Sequence, residues 1–270
     1  STRKAIELNP NYTVAHLNLG NNLRDLGKLQ EAEFSTRKAI ELNPNYTVAH
    51  LNLGSILRDL GQLQEAEFST RKAIELNPHF AEAHSNLGNI LNDLDKAKEA
   101  FDCYIKATEL DPNLPNIFQS ITRFLRDSDL SKLNKLQLKH FLNQLLEKND
   151  VAHRELFKAF NFLYNKEIIH SLKRFISDPS KEENLKLLLK DKTIINAIKK
   201  ITFRDIRLET MLTNVRKCIC DRITDNKEEI SYSQLEFIIA LGEQCFLNEY
   251  VYSQTEEENL SLNIIINRCM

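Results

Sequence analysis

The sequence nearly repeats itself every 34 residues. Residues 1–34 and 35–68 differ at only three positions. The differing pairs are Asn21 and Ser55, Asn22 and Ile56, and Lys28 and Gln62. A third copy begins at Ser69 and diverges after Pro78. A period of this length is typical of solenoids, in which each unit buries its apolar face against its neighbours.

Each unit predicts two helices. The first helices are expected at Val14–Leu26, Val48–Leu60 and Ala81–Leu94, and the second at Leu29–Leu42, Leu63–Leu76 and Ala97–Leu110. Gly27 and Gly61 are expected to end the first helices, because glycine tolerates left-handed backbone geometry. Pro44, Pro78 and Pro112 follow the second helices, where proline blocks continuation.

The apolar and small residues recur at helical spacing. The interior stripe is predicted to contain Leu19, Leu23, Leu53, Leu57, Leu87 and Leu91. Small residues stand where two helices must approach closely, at Gly20, Gly54 and Gly88 in the first helices and at Ala32, Ala66, Ala100, Ala39, Ala73 and Ala107 in the second.

The pattern "NLG…G…EA…KAIELNP" resembles the tetratricopeptide repeat. The resemblance covers residues 1–114, as a partial first repeat followed by repeats starting near residues 13, 47 and 81. It implies an all-α helix–turn–helix solenoid. Two kinds of position depart from the family's pattern. His16, His50 and His84 replace a bulky aromatic in the first helix, and Thr36 and Thr70 replace one in the second, where Tyr104 fits.

Two expectations follow from these departures. Phe34 and Phe68, two residues before the threonines, are predicted to compensate for the missing aromatic rings. The three histidines are predicted to pack rather than to bind metal, because equivalent helices lie about 10 Å apart and zinc ligands lie about 2 Å from one ion. Cys218 and Cys220 make a poor chelate, since their side chains would point about 200° apart on a helix.

The same resemblance implies a concave surface that is lined by the first helices. Asn18, Asn52 and Asn86 would lie there in a row, which resembles the asparagine ladder of the repeats attached to O-linked N-acetylglucosamine transferases. An asparagine amide both donates and accepts, so such a row can bond an extended peptide backbone. The alternative is that these asparagines cap loops or only face water. The candidate peptide-binding residues are Asn18, Asn21, Asn52, Asn86, Asn89, Arg24, Arg58, Val14, Leu17, Val48 and Leu51.

The partner is expected to be a protein or peptide in extended conformation. Leu17, Leu51 and Ser85 stand where a clamp for a terminal carboxylate would need lysine, so a highly acidic tail fits poorly. Arg24 and Arg58 are expected to pair with their chain neighbours Asp25 and Asp59. The net charge of −2 argues against a nucleic-acid partner, and the apolar runs are too short to span a membrane. Five scattered cysteines favour reduced thiols and a cytoplasmic location.

Beyond the repeats, residues 115–130 are predicted to form a degenerate fourth-repeat or capping helix, and residues 131–270 an all-α domain. Ser131 and Asp150 are expected to cap two of its helices, Asp191 or Lys192 to start another, and Ser180–Glu183 to form a capping box. Further helices are predicted at Phe203–Ile223, Ser233–Glu249 and Thr255–Arg268. Residues 190–217 are basic in part, but interleaved acids favour a solvated helix face over a binding strip.

The stretch from Leu235 resembles a segment that joins tetratricopeptide arrays to S-adenosylmethionine-dependent methyltransferase domains in bacterial, often marine, proteins. "EQCFLNEYVY" is its most specific part. The chain starts within a repeat and ends within a helical pattern, so it is expected to be a fragment, with any catalytic domain beyond Met270.

No catalytic site, cofactor or metal is expected in these residues, because five of the six glycines lie in the repeats and no Gly-rich loop remains for a nucleotide. Three functions stay open: an interaction scaffold, the substrate-recruiting front of a methyltransferase, and the front of a repeat-linked glycosyltransferase. The last rests on the asparagine ladder alone.

Overall fold

The computed structural model describes residues 2–178, 182–203, 205–225 and 232–247. Within these ranges the regular elements are α-helices and short 3₁₀ turns, which confirms the all-α prediction. The chain divides into two compact units. The first comprises residues 1–124 with 131–133, and the second comprises residues 125–130 with 134–270.

The first unit is built from helices that alternate along the chain with short turns. They are α1 (Thr2–Leu8), α2 (Thr13–Asp25), α3 (Leu29–Leu42), α4 (Thr47–Asp59), α5 (Leu63–Leu76), α6 (Ala81–Asp93), α7 (Ala97–Leu110) and α8 (Ile117–Asp127), of which the last three residues belong to the second unit. Each repeat pairs two consecutive helices, α2 with α3, α4 with α5 and α6 with α7. The predicted two-helix solenoid unit is therefore confirmed.

The predicted glycine positions hold the pairs together. Gly27 and Gly61 follow the first helices with φ angles of +73° and +76°, which reverse the chain direction. Gly54 allows the close approach of α4 and α5, because a Cβ atom there would lie 2.1 Å from Oγ1 of Thr70 and 3.3 Å from the carbonyl oxygen of Ala66. In the third repeat Asp95 takes the left-handed position, with φ +58°.

The compensation predicted for Phe34 and Phe68 is wrong. These rings are 76% and 78% exposed, so they do not fill the space beside the threonines. Thr36 and Thr70 themselves fill the buried sites against Gly20 and Gly54. The two helices of each of these repeats can approach closely because a threonine, which is smaller than an aromatic residue, lies between them.

The three histidines are structural, as the sequence predicts. The Nε2 atoms of His16, His50 and His84 lie 2.8, 2.8 and 3.0 Å from the carbonyl oxygens of Pro10, Pro44 and Pro78. Each histidine side chain therefore ties a first helix to the turn that precedes it. This bond accounts for a histidine at the position where the resemblance predicted a bulky aromatic residue.

Helix α8 continues the register of the first helices. Ile117 and Ile121 are fully buried at the positions that match Ala83 and Leu87 one period earlier. The ring of Phe124 lies 5.9 Å from that of Phe101 and 5.4 Å from that of Tyr104, measured between centroids. Residues 117–124 thus pack on α7 as a further first helix would.

The second unit contains helices of very unequal length, from 5 to 21 residues. They are α9 (Lys135–Glu147), α10 (Phe157–Ser177), α11 (Lys186–Lys190), α12 (Lys192–Lys200), α13 (Ile206–Asp225) and α14 (Tyr232–Leu247). The stacked rings of Phe160 and Phe203, 5.4 Å apart, mark its interior. Among the described helices of both units, none combines the length and hydropathy that crossing a bilayer requires.

The helix starts of this unit were predicted with mixed success. Asp191 caps α12 as expected, since its Oδ1 accepts from the backbone N–H of Thr193 at 3.0 Å. The Ser131 prediction is wrong: Ser131 lies in a 3₁₀ turn, and Asn134 caps α9 instead. The Asp150 prediction is also wrong, because a 3₁₀ turn at His153–Leu156 precedes α10. The predicted capping box and the Thr255–Arg268 helix lie wholly or largely outside the described residues.

Candidate peptide-binding surface

Seven of the eleven candidate residues share one face of the first helices, and Leu17, Arg24, Leu51 and Arg58 lie outside it. Residues spaced by four, three and four positions share one face of a helix. We call this face the inner stripe. It comprises Val14, Asn18, Asn21 and Asp25 on α2, Val48, Asn52, Ser55 and Asp59 on α4, and Glu82, Asn86, Asn89 and Asp93 on α6. The three helices contact one another in succession, so the stripe is continuous across the repeats.

Hydrogen bonds between repeats hold the asparagine amides of the stripe. Asn52 donates through Nδ2 to Oδ1 of Asn21 at 2.7 Å, and Asn86 donates through Nδ2 to Oγ of Ser55 at 2.9 Å. Each of these amides thereby uses one of its two N–H groups, which leaves the second N–H and the oxygen. Asn18 is exposed. The structure therefore fixes the orientation of Asn52 and Asn86 at a constant step.

Asn89 forms a different hydrogen bond from Asn21 and Ser55, which hold the equivalent positions on α2 and α4. Its Oδ1 accepts from the hydroxyl of Tyr104 at 2.9 Å. Burial raises the pKa of Tyr104, so the hydroxyl keeps its proton and remains a donor. This bond links the inner stripe to the core of the third repeat.

The arginines pair across repeats rather than along the chain, which corrects the sequence-based expectation. Arg24 Nε lies 2.7 Å from Asp59 Oδ2, and Arg58 Nε lies 2.5 Å from Asp93 Oδ2. Consecutive residues on a helix do not face each other, whereas the aspartate of the next repeat lies directly across the groove between helices. These exposed pairs are worth about 0–1 kcal/mol each.

The apolar part of the candidate site is smaller than predicted. Val14 and Val48 are each 39% exposed, and Leu51 is half-buried. Leu17 is only 3% exposed, where it packs with Ala39 and Ala49 in the core. Leu17 therefore cannot contact a ligand, because its side chain packs between the first repeat and the second.

Sequence reasoning missed a depression of about 550 Å³ on the other side of the array. It lies between α3 and α5, over α4, and its apolar lining is Ile40, Leu53, Leu57 and Phe68. The ion pair between Arg37 and Glu65, at 2.9 Å, borders it. The signal in the sequence was Phe68, which the prediction assigned to the core although its ring is 78% exposed.

Reactive or metal-binding groups do not gather on this surface. Within the described residues, no group of three or more His, Cys, Asp and Glu side chains could hold a metal ion. Burial raises the pKa of the Cys103 thiol to about 11, so the group stays protonated near neutral pH. What the arrangement offers is amide groups, aliphatic surface and paired charges.

The repeat geometry agrees with a comparison against known families. Residues 13–46, 47–80 and 81–114 each match the model of the tetratricopeptide repeat. Residues 13–114 are three tetratricopeptide repeats. No curated protein matches the chain.

Several solved structures resemble part of this chain. The first such domain of Spaghetti (RPAP3), bound to the HSP90 peptide SRMEEVD, is 26% identical, with a TM-score of 0.40 over 42% of this chain and 89% of that one. The domain of Arabidopsis OM64 is 21% identical, with a TM-score of 0.40 over 42% and 93%. MamA is 22% identical, with a TM-score of 0.44 over 62% and 86%.

Proposed function

We propose that this chain is a protein-interaction scaffold whose tetratricopeptide repeats hold an extended segment of a partner protein against α2, α4 and α6. The observation that carries the proposal is the bonding of Asn52 and Asn86 to the preceding repeat. Each bond orients one amide while leaving an N–H and an oxygen for a ligand. Rotamers ordered before binding lower the entropic cost of association.

The step of the repeat suits an extended backbone. Neighbouring packed helices lie about 8–10 Å apart, and an extended chain advances about 3.3–3.6 Å per residue. Successive asparagines would therefore meet the backbone at about every third residue. A segment of roughly six or seven residues would span Asn18, Asn52 and Asn86. The contacts would be to main-chain groups, so the asparagines themselves would select for extended conformation rather than for sequence.

The remaining parts of the proposal concern the chain around the repeats. We assign residues 1–114 to the binding array, 115–130 to a capping helix and 131–270 to a separate helical domain without catalytic groups of its own. A cytoplasmic location fits Cys103 and Cys218, neither of which forms a disulfide. The methyltransferase-linked alternative rests on sequence resemblance, and the second half of its key stretch, residues 248–252, lies outside the described residues. A Gly-rich cofactor loop encoded after residue 270 would support it, and a stop codon would oppose it.

The test of the peptide site compares two ways of breaking the same bond. Asn86→Ala removes both the bond to Ser55 and the amide that would contact a ligand. Ser55→Ala keeps the amide and removes its bond, together with the bond that the Ser55 hydroxyl donates to the carbonyl oxygen of Leu51. Each loses about 0.5–1.5 kcal/mol of stability if the bond is worth an ordinary amount. We expect the triple variant Asn18→Ala, Asn52→Ala, Asn86→Ala to lose its partners in a pull-down from cell extract. The Ser55→Ala variant should retain them.

Circular dichroism controls for folding in each variant. If the triple variant is folded and still captures the same partners as the unaltered chain, the asparagines are not the binding element. The peptide SRMEEVD, found on the RPAP3 domain, serves as a negative control. We expect it to bind poorly here, because Leu17, Leu51 and Ser85 stand where a carboxylate clamp would need lysine.

A further inference from the structure

We infer that the partner segment presents apolar side chains to the first two repeats and a basic side chain to the third. The inference rests on the proposed function, because it concerns a ligand of the same inner stripe. Its basis is a change of side chains between repeats that are otherwise nearly alike.

The change lies at the start of each first helix. Val14 and Val48 hold this position in the first two repeats, and Glu82 holds it in the third. Three residues further on, Leu51 gives way to Ser85. Val14 and Val48 are each 39% exposed and Glu82 is exposed, so all three can touch a ligand. The stripe thus turns from aliphatic to acidic along the array.

Packing does not demand this change. The neighbouring core positions keep their residues, with Ala49 and Ala83 fully buried and Leu53 and Leu87 almost so. Neither an exposed valine nor an exposed glutamate at this position fills the core, so the exchange changes what the helix offers to solvent or to a partner. The difference between the repeats is therefore a difference of surface chemistry on a constant scaffold.

The charge of Glu82 is not cancelled by the inter-repeat pairs. Arg24 and Arg58 are each paired with an aspartate of the next repeat, whereas no basic group of the described chain forms an ion pair with Glu82. Arg123 on α8 holds the position that matches Asn89. It stands one helix away and about 10 Å further along the helix axis, too far to neutralise Glu82.

A ligand on the stripe meets this unpaired carboxylate where it crosses the third repeat. A lysine or arginine there gains a charge-assisted bond, and an acidic residue is repelled. Over the first two repeats, an aliphatic or aromatic side chain would cover the exposed methyl groups of Val14 and Val48 and remove them from water. The stripe therefore specifies an apolar end and a basic end of the partner segment.

Glu82 also has a purely structural interpretation. It lies in the first turn of α6, where a negative charge stabilises a helix through the macrodipole. A group with only that role would alter stability when it is changed, but it would not alter which peptides bind. The experiment therefore reads peptide preference as well as melting temperature.

The probe is a display library of random 12-residue peptides, selected on the full chain. Peptides that also bind the Asn18→Ala, Asn52→Ala, Asn86→Ala variant are removed by counter-selection. We expect the remaining peptides to carry an apolar cluster and a lysine or arginine, with acidic residues depleted. Glu82→Gln should weaken them about two- to fivefold at low salt, the range of an exposed ion pair. The effect should shrink in 1 M salt.

Two matched controls separate site from bulk effects. Asp102→Asn removes the same charge from the outer helix of the same repeat and should leave affinity unchanged. Val14→Ser with Val48→Ser should weaken binding, whereas Phe34→Ser, which removes an exposed apolar group elsewhere, should not. If selected peptides lack a basic preference, or if Glu82→Gln acts no more than Asp102→Asn, the inference is overturned while the proposed function stands. If no peptide depends on the asparagines, the proposed function fails and the inference fails with it.

Discussion

The second and third repeats fill the same buried position in opposite ways. In the second, Thr70 on α5 lies against Gly54 of α4, and its hydroxyl has no hydrogen-bond partner within the described structure. In the third, Tyr104 on α7 lies against Gly88 of α6, and its hydroxyl bonds to Asn89. Thr70 fills the space between its two helices with a small side chain, whereas the Tyr104 ring extends across Gly88 to bond to Asn89.

The difference shows how one repeat can serve two places in an array. Thr70 keeps α4 and α5 close and contributes little to the surface. Tyr104 contacts Phe124 of α8 at 5.4 Å between ring centroids, so it joins α6, α7 and α8 through one side chain. Tyr104 thus lies in the last of the three repeats, where the chain stops repeating itself and α8 packs against α7.

The largest effect is expected when Tyr104 is replaced by alanine, and the same replacement of Thr70 in a separate variant provides the comparison. Tyr104→Ala should lower the free energy of unfolding by about 3–5 kcal/mol, as for other large buried rings. Thr70→Ala should cost only about 1 kcal/mol, because it removes one methyl and an unpartnered hydroxyl. Urea denaturation followed by circular dichroism measures both. Equal losses would remove the asymmetry between the two repeats.

A glycine substitution tests how tightly the small version is packed. Gly54→Ala should destabilise by about 1–3 kcal/mol, since the new Cβ would meet Thr70 Oγ1 and a backbone oxygen. Thr70→Ala in the same chain should recover part of that loss by making room. Gly27→Ala is a useful contrast, because nothing lies near its Cβ and its cost comes from positive φ alone. If the double variant is no more stable than Gly54→Ala alone, Thr70 does not set the distance between α4 and α5.

The hydroxyl of Tyr104 can be examined apart from its ring. Tyr104→Phe should cost about 0.5–1.5 kcal/mol, the ordinary net worth of a hydrogen bond, and should leave the contact with Phe124 in place. Combined with Asn89→Ala, the loss should be smaller than the sum of the single changes. Strict additivity in this double-mutant cycle would contradict the bond between the two side chains.

The smallest effect is expected at the charged link between these repeats. Arg58→Gln removes the ion pair with Asp93 and should change stability by less than about 1 kcal/mol, because both side chains are about one-third exposed. Salt should screen the difference between this variant and the unaltered chain. Arg24→Gln, which breaks the equivalent pair with Asp59, provides the comparison inside the array. A loss above 2 kcal/mol would show that the pair is far better shielded than its exposure indicates.

The repeats were predictable because their helices depend on local patterns. The 34-residue period, Gly27 and Gly61 at the turns and the spacing of the interior leucines are all properties of nearby residues, and the observed helices begin and end within about two residues of the predicted bounds. The second unit was less predictable. Asn134 rather than Ser131 caps α9 because the chain enters that helix through a 3₁₀ turn, which no repeat announces.

What the sequence determined by itself is the helical solenoid and the column of asparagines, since periodicity places equivalent side chains on equivalent helix faces. Only the tertiary structure decided the partners of those side chains. Asn52 bonds back to Asn21, Arg24 reaches Asp59, and Leu17 is buried while Phe68 is exposed. These outcomes depend on how one repeat is rotated against the next. That rotation is set by the summed packing of many residues on two adjacent repeats, which a pattern within one repeat does not encode.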